Sequence, residues 1–122
     1  MKLSPAIPQL PMKDIDETAN FYVEKLGFEI VQRYEEQKFL MVRRDKAEIH
    51  FLGYEPGVAK EVGSFSSAYI YPEDIDKLAD EFRAAGVSFR YGPEDKPWGM
   101  YEMQIDDPCG TAIRFGVPTA TR

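Results

Sequence analysis

The 122-residue chain is long enough to build one hydrophobic core, and 43% hydrophobic with 30% charged residues is ordinary for a globular protein. Its net charge of −6 argues against nucleic-acid and anionic-membrane partners, and its apolar runs are far shorter than a membrane span. A single cysteine, Cys109, and a start without an apolar signal segment lead us to expect a cytoplasmic protein.

The sequence contains an internal repeat. Three segments of the first half recur in the same order in the second half, at offsets of about 60 residues. The matches are Asp14-Ile15-Asp16 with Asp74-Ile75-Asp76, Leu26-Gly27-Phe28 with Ala85-Gly86-Val87, and Ile49 to Gly53 with Ile113 to Gly116. Each match is short, but their common order favours two copies of one structural module.

The first half predicts a strand, a helix and three further strands. Asp14, three residues before Glu17, is a helix N-cap, and Gly27 ends the helix because glycine accepts a positive φ. Apolar residues between these points recur at helical spacing. The alternating segments before and after the helix predict strands at Ala6 to Met12, Phe28 to Tyr34, Lys38 to Arg43 and Ala47 to Leu52, with a turn at Asp45-Lys46.

The second half predicts the same order of elements. Asp74 caps a helix that ends at Gly86, and a turn lies at Asp107 to Gly110. The predicted strands are Phe65 to Tyr71, Val87 to Tyr91, Met100 to Ile105 and Thr111 to Phe115. Residues Gly53 to Gly63, with their glycines and proline, predict a connector between the halves.

These elements predict an α+β fold in which residues 1–122 form a single domain of two βαβββ modules, at about 1–55 and 64–122. Two curved mixed sheets joined edge to edge would leave a cup lined from both halves. We expect the functional side chains in that cup.

Several motifs together resemble a known superfamily. They are Asp14-x-x-x-Thr18-x-x-Phe21-Tyr22, Leu26-Gly27-Phe28, Pro97-Trp98-Gly99 and Asp107-Pro108-x-Gly110-Thr111. The chain resembles the vicinal-oxygen-chelate superfamily, which includes glyoxalase I, extradiol dioxygenases, and fosfomycin- and bleomycin-resistance proteins. Pro97-Trp98-Gly99 and Arg114 are similar to the bleomycin-resistance branch. So is the opening Ala6-Ile7-Pro8-x-Leu10, which implies a homodimer with an exchanged N-terminal arm.

Enzymes of this superfamily hold a divalent metal on the first and last strands of each module. The repeat places those positions at Ile7, Ser67, His50 and Arg114. Only His50 suits a metal, because isoleucine has no donor atom, serine is a poor ligand and arginine is positively charged. We therefore expect no metal, no cofactor and no catalytic residue. A two-residue change of register would instead turn Glu48 inward.

Strand alternation and the resemblance select the candidate ligand-binding residues. They are Trp98, Tyr69, Tyr71, His50, Arg114, Ser67 and Glu102. Ordinary structural roles remain open for most of them: the tyrosines could be surface residues of a sheet, His50 could bond a neighbour, and Arg114 could pair with Glu48 or Glu102. Glu102 and Gln32 depart from the bleomycin-resistance pattern and predict a cup that is less aromatic and more acidic.

The resulting hypothesis is a metal-independent binding protein that confers resistance by sequestering bleomycin-type glycopeptide antibiotics in clefts of a homodimer. Flat aromatic side chains with a few polar groups suit a cationic heteroaromatic ligand of this kind. Two alternatives remain at this point. One is a glyoxalase- or dioxygenase-like enzyme with an atypical metal site, and the other is a small-molecule sensor or carrier.

Overall fold

The two halves of the chain form separate four-stranded mixed sheets of identical topology. The computed structural model covers residues 1–122. The strands of the first sheet are β1 (Gln9–Met12), β2 (Glu29–Tyr34), β3 (Phe39–Arg44) and β4 (Ala47–Gly53). Those of the second are β5 (Ser67–Ile70), β6 (Tyr91–Asp95), β7 (Met100–Asp106) and β8 (Ala112–Pro118). The strand orders are β1-β4-β3-β2 and β5-β8-β7-β6, and only the first pair of each sheet is parallel.

The helices begin and end where the sequence predicts. Helix α1 (Ile15–Asn20) continues through a π-helical turn (Phe21–Lys25), and its N-cap Asp14 accepts the amide of Glu17 at 2.8 Å. Asp74 caps α3 (Ile75–Ala84) in the same way, accepting the amide of Lys77 at 3.0 Å. Gly27 and Gly86 follow the two helices with φ of +74° and +79°. A short 3-10 helix (Thr119–Thr121) lies at the C-terminal end.

The strand register agrees with the offsets read from the repeat. Gln9 lies opposite His50 in the first sheet, and Tyr69 lies opposite Arg114 in the second. These pairs are related by the offsets of 60 and 64 residues that the sequence shows. Positions judged equivalent from the repeat are therefore equivalent in the structure.

One hydrophobic core draws on both halves. Its 19 buried residues include Phe51 from the first sheet and Phe82 and Phe115 from the second module. The buried hydroxyl of Tyr22 donates to Asp107 Oδ2 at 2.8 Å across the junction. No strand of one sheet bonds a strand of the other, so the predicted edge-to-edge junction is wrong for the single chain. The modules join instead through their apolar faces, because those faces bury the most apolar surface.

The predicted connector contains a helix, α2 (Pro56–Ser64), which was missed. Glu55 caps it by accepting the amide of Val58 at 3.2 Å, and Pro56 occupies the first turn, where its missing N–H costs nothing. Gly63 allows the helix to lie directly against the backbone of Cys109. The glycines and proline that indicated a connector therefore mark a helix start and a close contact.

The strand predicted at Val87 to Tyr91 is also placed wrongly. Residues 87–90 are irregular, and β6 begins at Tyr91 instead of ending there. Gly92, with a φ of +84°, lies in an irregularity of the pairing with β7. The first strands of both modules are shorter than predicted. None of the helices combines the length and the hydropathy of a membrane-spanning segment.

Candidate functional site

Each sheet has a second face that is turned away from the shared core. In β8, Ile113 and Phe115 are buried in the core, whereas Arg114 between them projects to the other side. The open face, as we call this side of the second sheet, carries Tyr69, Glu102, Gln104, Arg114 and Gly116, which occupy paired positions on β5, β7 and β8.

The carboxylate of Glu102 is the centre of the open face. Its side chain is almost fully buried, with 1% exposed. Oε1 accepts the hydroxyl of Tyr69 at 2.8 Å and the indole Nε1 of Trp98 at 3.1 Å, and Oε2 accepts the hydroxyl of Tyr91. Hydrogen bonds to an ionised carboxylate are stronger than neutral ones. Glu102 therefore orients three aromatic rings.

The pKa shifts describe the same cluster. Burial raises the pKa of Glu102, but the hydrogen bonds from Tyr91, Trp98 and Tyr69 and the charge of Arg114 outweigh burial, so the pKa lies below its ordinary value. Burial and the hydrogen bond to Glu102 raise the pKa of Tyr91 to about 12. The same causes raise the pKa of Tyr69 further. At neutral pH the cluster holds one carboxylate and neutral phenols.

Arg114 lies beside this cluster and bonds an amide. Its Nε donates to Gln104 Oε1 at 3.0 Å, and Gln104 Nε2 donates to Asp106 Oδ1 at 2.9 Å. Arg114 forms no direct salt bridge with Glu48, whose partners are Arg43 and His50, and its link to Glu102 is the longer-range charge that lowers the Glu102 pKa. The Arg114 guanidinium also lies close enough to Tyr91 to lower the pKa of its phenol, against the larger effects of burial and Glu102.

Gly116 makes room for the Tyr69 phenol. A Cβ on Gly116 would overlap the Tyr69 hydroxyl oxygen and lie 2.9 Å from Glu102 Cβ. The equivalent position in the first sheet is Leu52, which pairs with Phe39 as Gly116 pairs with Glu102. The two modules therefore share a fold but differ in chemistry. The first has the apolar pair Phe39 and Leu52 at this position, whereas the second has the Glu102 carboxylate bonded to the Tyr69 phenol.

Trp98 lies in the tight turn between β6 and β7. The amide of Gly99 donates to the carbonyl of Lys96 at 3.1 Å, and Gly99 has a φ of +82°, which favours glycine. Although its indole nitrogen is bonded to Glu102, Trp98 is 63% exposed. Most of a large flat ring is thus offered to the solvent at the end of the open face.

The outer face of the first sheet carries a smaller polar group. His50 Nε2 lies 2.6 Å from Glu48 Oε2, and the ring of Phe39 meets the imidazole edge-on at 5.5 Å. Glu48 and His50 therefore share a face of the first sheet. His50 is bonded to a neighbouring side chain, which is the structural role that the sequence left open for it.

The structure brings together only part of the predicted set. Tyr69 and Trp98 both donate to Glu102, and Arg114 lies opposite Tyr69 on the next strand. The ring centroids of Tyr71 and Tyr69 are 5.4 Å apart. Ser67, opposite Ala112, bonds none of these residues, and His50 lies on the other sheet. Sequence reasoning missed Tyr91, Gln104, Gly116 and Lys96. Alternation along β7 from Glu102 would have indicated Gln104, but the misplaced β6 hid Tyr91.

The four positions that hold a metal in enzymes of the superfamily are Ile7, Ser67, His50 and Arg114 in this chain. They do not form a metal site together with other potential metal ligands. Ile7 lies before β1 and is exposed, and nowhere in the chain do three His, Cys, Asp or Glu side chains gather in a geometry suited to a metal ion. A groove of about 730 Å³ lies elsewhere, between the modules beside the Arg44–Glu81 ion pair, and its floor is apolar. Tyr71 lines this groove, whereas Tyr69, Tyr91, Trp98 and Glu102 do not.

Comparison with known proteins agrees with the topology and the motifs. The family model of the Glyoxalase/Bleomycin resistance protein/Dioxygenase superfamily matches residues 6–115. The chain belongs to this superfamily. A bleomycin resistance protein of Klebsiella pneumoniae is 29% identical over 90% of this chain and 89% of its own length. A virulence protein of Salmonella typhimurium, STM3117, is 30% identical over 87% of this chain and 78% of its own length.

Solved structures of superfamily members superpose closely. A bleomycin resistance determinant encoded on the transposon Tn5 matches with a TM-score of 0.82 and 28% identity, covering 95% of this chain and 98% of that one. A bleomycin-binding protein complexed with bleomycin matches with a TM-score of 0.77 and 27% identity, covering 93% and 98%. The predicted superfamily and α+β fold are confirmed. The superfamily includes both resistance proteins and enzymes.

Proposed function

We propose that this protein binds bleomycin-type glycopeptide antibiotics at the open face and confers resistance by sequestering them in the cytoplasm. The observation that carries the proposal is the Glu102 carboxylate with Tyr69, Tyr91 and Trp98 bonded around it. Because Trp98 is held at its indole nitrogen and is 63% exposed, most of its ring is accessible for stacking, and the ordering cost is met before a ligand arrives. Similarity to bleomycin resistance proteins supports the choice of drug.

The charge of the site suits a cationic ligand. The chain carries a net charge of −6, and Glu102 remains ionised at neutral pH because its pKa is lowered. Bleomycin combines a planar bithiazole with a cationic tail. The bithiazole would stack on Trp98, and Arg114 would donate to the polar groups of the glycopeptide.

The proposed active form is a homodimer that places a second surface over each open face. Exposed apolar side chains support this assembly, because Ile30 and Tyr34 on β2 and Tyr71 after β5 are all more than 40% exposed. Met1 to Ile7 are exposed as well, which supports the exchange of this arm between partners. The shared core supports one domain over residues 1–122.

We propose that binding needs no metal and that the ligand is not chemically changed. At the equivalent positions of the two modules, Ile7, Ser67 and Arg114 are poor metal ligands. His50 suits a metal but is bonded to Glu48. Metal analysis of the purified protein tests this part, and one tightly held divalent ion per chain would contradict it.

Growth of a bleomycin-sensitive bacterium that expresses the protein tests the resistance role. Wild type should raise the tolerated drug concentration, and Trp98→Ala should abolish most of that gain. Phe65→Ala is the matched control, because Phe65 is an exposed aromatic residue (88%) at the end of α2 that makes no ring contact with Tyr69, Tyr91 or Trp98. Equal protection by Trp98→Ala and wild type would reject the site, and no protection by wild type would reject resistance to bleomycin.

A further inference from the structure

An internal cation lies against the aromatic rings at the end of the open face. The ammonium nitrogen of Lys96 is 3.8 Å from the centroid of the Tyr91 ring and 5.9 Å from that of Trp98. Both distances are within the range of a cation–π interaction. The ammonium also pairs with Glu94 Oε2 at 2.9 Å, and the Lys96 side chain is only 17% exposed. Tyr91, Trp98 and Glu94 therefore already surround one positively charged group, the Lys96 ammonium.

Backbone hydrogen bonds fix the main chain of Lys96, but its side chain can still change conformation. The amide of Lys96 donates to the carbonyl of Met100 at 2.8 Å, and its carbonyl accepts the amide of Gly99, so the residue is fixed at the first position of the turn. Its four-carbon stem has several rotatable bonds, and its only polar side-chain partner is the half-exposed Glu94. The ammonium can therefore leave the rings without any movement of the strands.

We propose that the place between Tyr91 and Trp98 is a binding site for an ammonium-type cation of the ligand, and that Lys96 occupies it in the free protein as an internal competitor. Two carboxylates lie at this place, since Glu94 bonds Lys96 and Glu102 bonds both aromatic side chains. The inference rests on the proposed function only where it takes bleomycin as the ligand. The cation site itself is inferred from the positions of Tyr91, Trp98, Glu94, Glu102 and Lys96.

A purely structural role for Lys96 makes the opposite prediction. If the ammonium served to hold Trp98 and Tyr91 in place, its removal would loosen the rings and weaken binding. If it competes, its removal frees the rings and strengthens binding. The two roles therefore differ in the sign of the affinity change.

Titration of the Trp98 fluorescence tests the inference, because Trp98 is the only tryptophan in the chain. The variants are Lys96→Ala, which vacates the place, Lys96→Arg, which keeps a cation there, and Lys60→Ala, which removes an exposed charge on α2. Each is titrated with tetramethylammonium chloride against sodium chloride at equal ionic strength, and separately with bleomycin. Lys96→Ala should bind tetramethylammonium about three- to tenfold more tightly than wild type. The other two variants should match wild type.

The two probes separate the inference from the proposed function. Unchanged or weaker tetramethylammonium binding by Lys96→Ala overturns the inference, and bleomycin binding by wild type would then leave the proposed function standing. Tighter tetramethylammonium binding without bleomycin binding by any variant keeps the cation site and rejects the drug. An equal gain in Lys60→Ala would also overturn the inference, because the effect would then be one of net charge.

Discussion

The phenol of Tyr69 lies across Gly116 of the neighbouring strand, with its hydroxyl oxygen 2.0 Å from where a Cβ of residue 116 would be. The φ of Gly116 is not positive, so its backbone does not require glycine. Glycine is needed here for space alone. The contact allows the Tyr69 hydroxyl to reach Glu102, and through Glu102 it is linked to Trp98 and Tyr91.

Gly116→Ala should therefore displace Tyr69 and break its hydrogen bond to Glu102. We expect the free energy of unfolding to fall by about 1–3 kcal/mol, as for overpacking at other closely packed positions. Denaturant unfolding measures the loss. In the background Tyr69→Ala, which removes the phenol, the same substitution should cost less, because only the contact with Glu102 Cβ at 2.9 Å remains. Equal costs in the two backgrounds would show that the phenol does not depend on Gly116.

Glu102→Gln should destabilise the protein in a pH-dependent way. The amide cannot accept three charge-assisted hydrogen bonds, so we expect a loss of about 2–3 kcal/mol at neutral pH. The pKa of Glu102 is lowered in the folded state, so its stabilising effect is present above the ordinary value of 4.5 and is lost as the pH falls through the folded value. The difference in unfolding free energy between variant and wild type should therefore shrink as the pH falls below 4.5.

The Tyr91 phenol provides a second readout of the same substitution. Its pKa of about 12 is raised by burial and by Glu102 and is lowered by Arg114. Removing the carboxylate should lower this pKa, which the ultraviolet absorbance of tyrosinate measures. A pH-independent stability difference together with an unchanged Tyr91 titration would show that Glu102 is not ionised in the cluster.

Gly63→Ala tests the contact between α2 and the second module. Alanine is favoured over glycine within a helix by about 1 kcal/mol. However, a Cβ on Gly63 would overlap the Cys109 carbonyl oxygen and lie 3.0 Å from its carbon. We expect the clash to dominate, with a net destabilisation of about 1–3 kcal/mol in denaturant unfolding. Lys60→Ala, at an exposed position of the same helix, is the control. A stabilising Gly63→Ala would mean that α2 does not lie against Cys109.

Local signals in the sequence predicted much of the fold. The capping aspartates, Asp14 and Asp74, and the glycines after both helices act within a few residues, so they could be recognised without the structure. The repeat also gave the correct equivalence of His50 and Arg114, because each pairs with the first strand of its own module. Trp98 was selected because Pro97-Trp98-Gly99 resembles the bleomycin-resistance branch. Glu102 was selected because it departs from the pattern of that branch.

What the sequence could not provide depends on packing between distant segments. Alternation assigns a face only when the strand is placed correctly, and the start of β6 at Tyr91 follows from its pairing with Gln104. The role of Gly116 depends on a phenol 47 positions earlier in the chain. Helix α2 was missed because Gly63, unfavourable in an isolated helix, is required by the contact with Cys109.

Calorimetric titration of the chelator-treated protein with metal-free bleomycin, followed by mass analysis of the recovered drug, tests the proposed function most directly. The account predicts saturable binding of one drug per chain at micromolar concentration, with an affinity unaffected by chelator. It also predicts a recovered drug of unchanged mass. Binding that disappears when chelator is added, or a drug whose mass has changed, would contradict metal-independent sequestration.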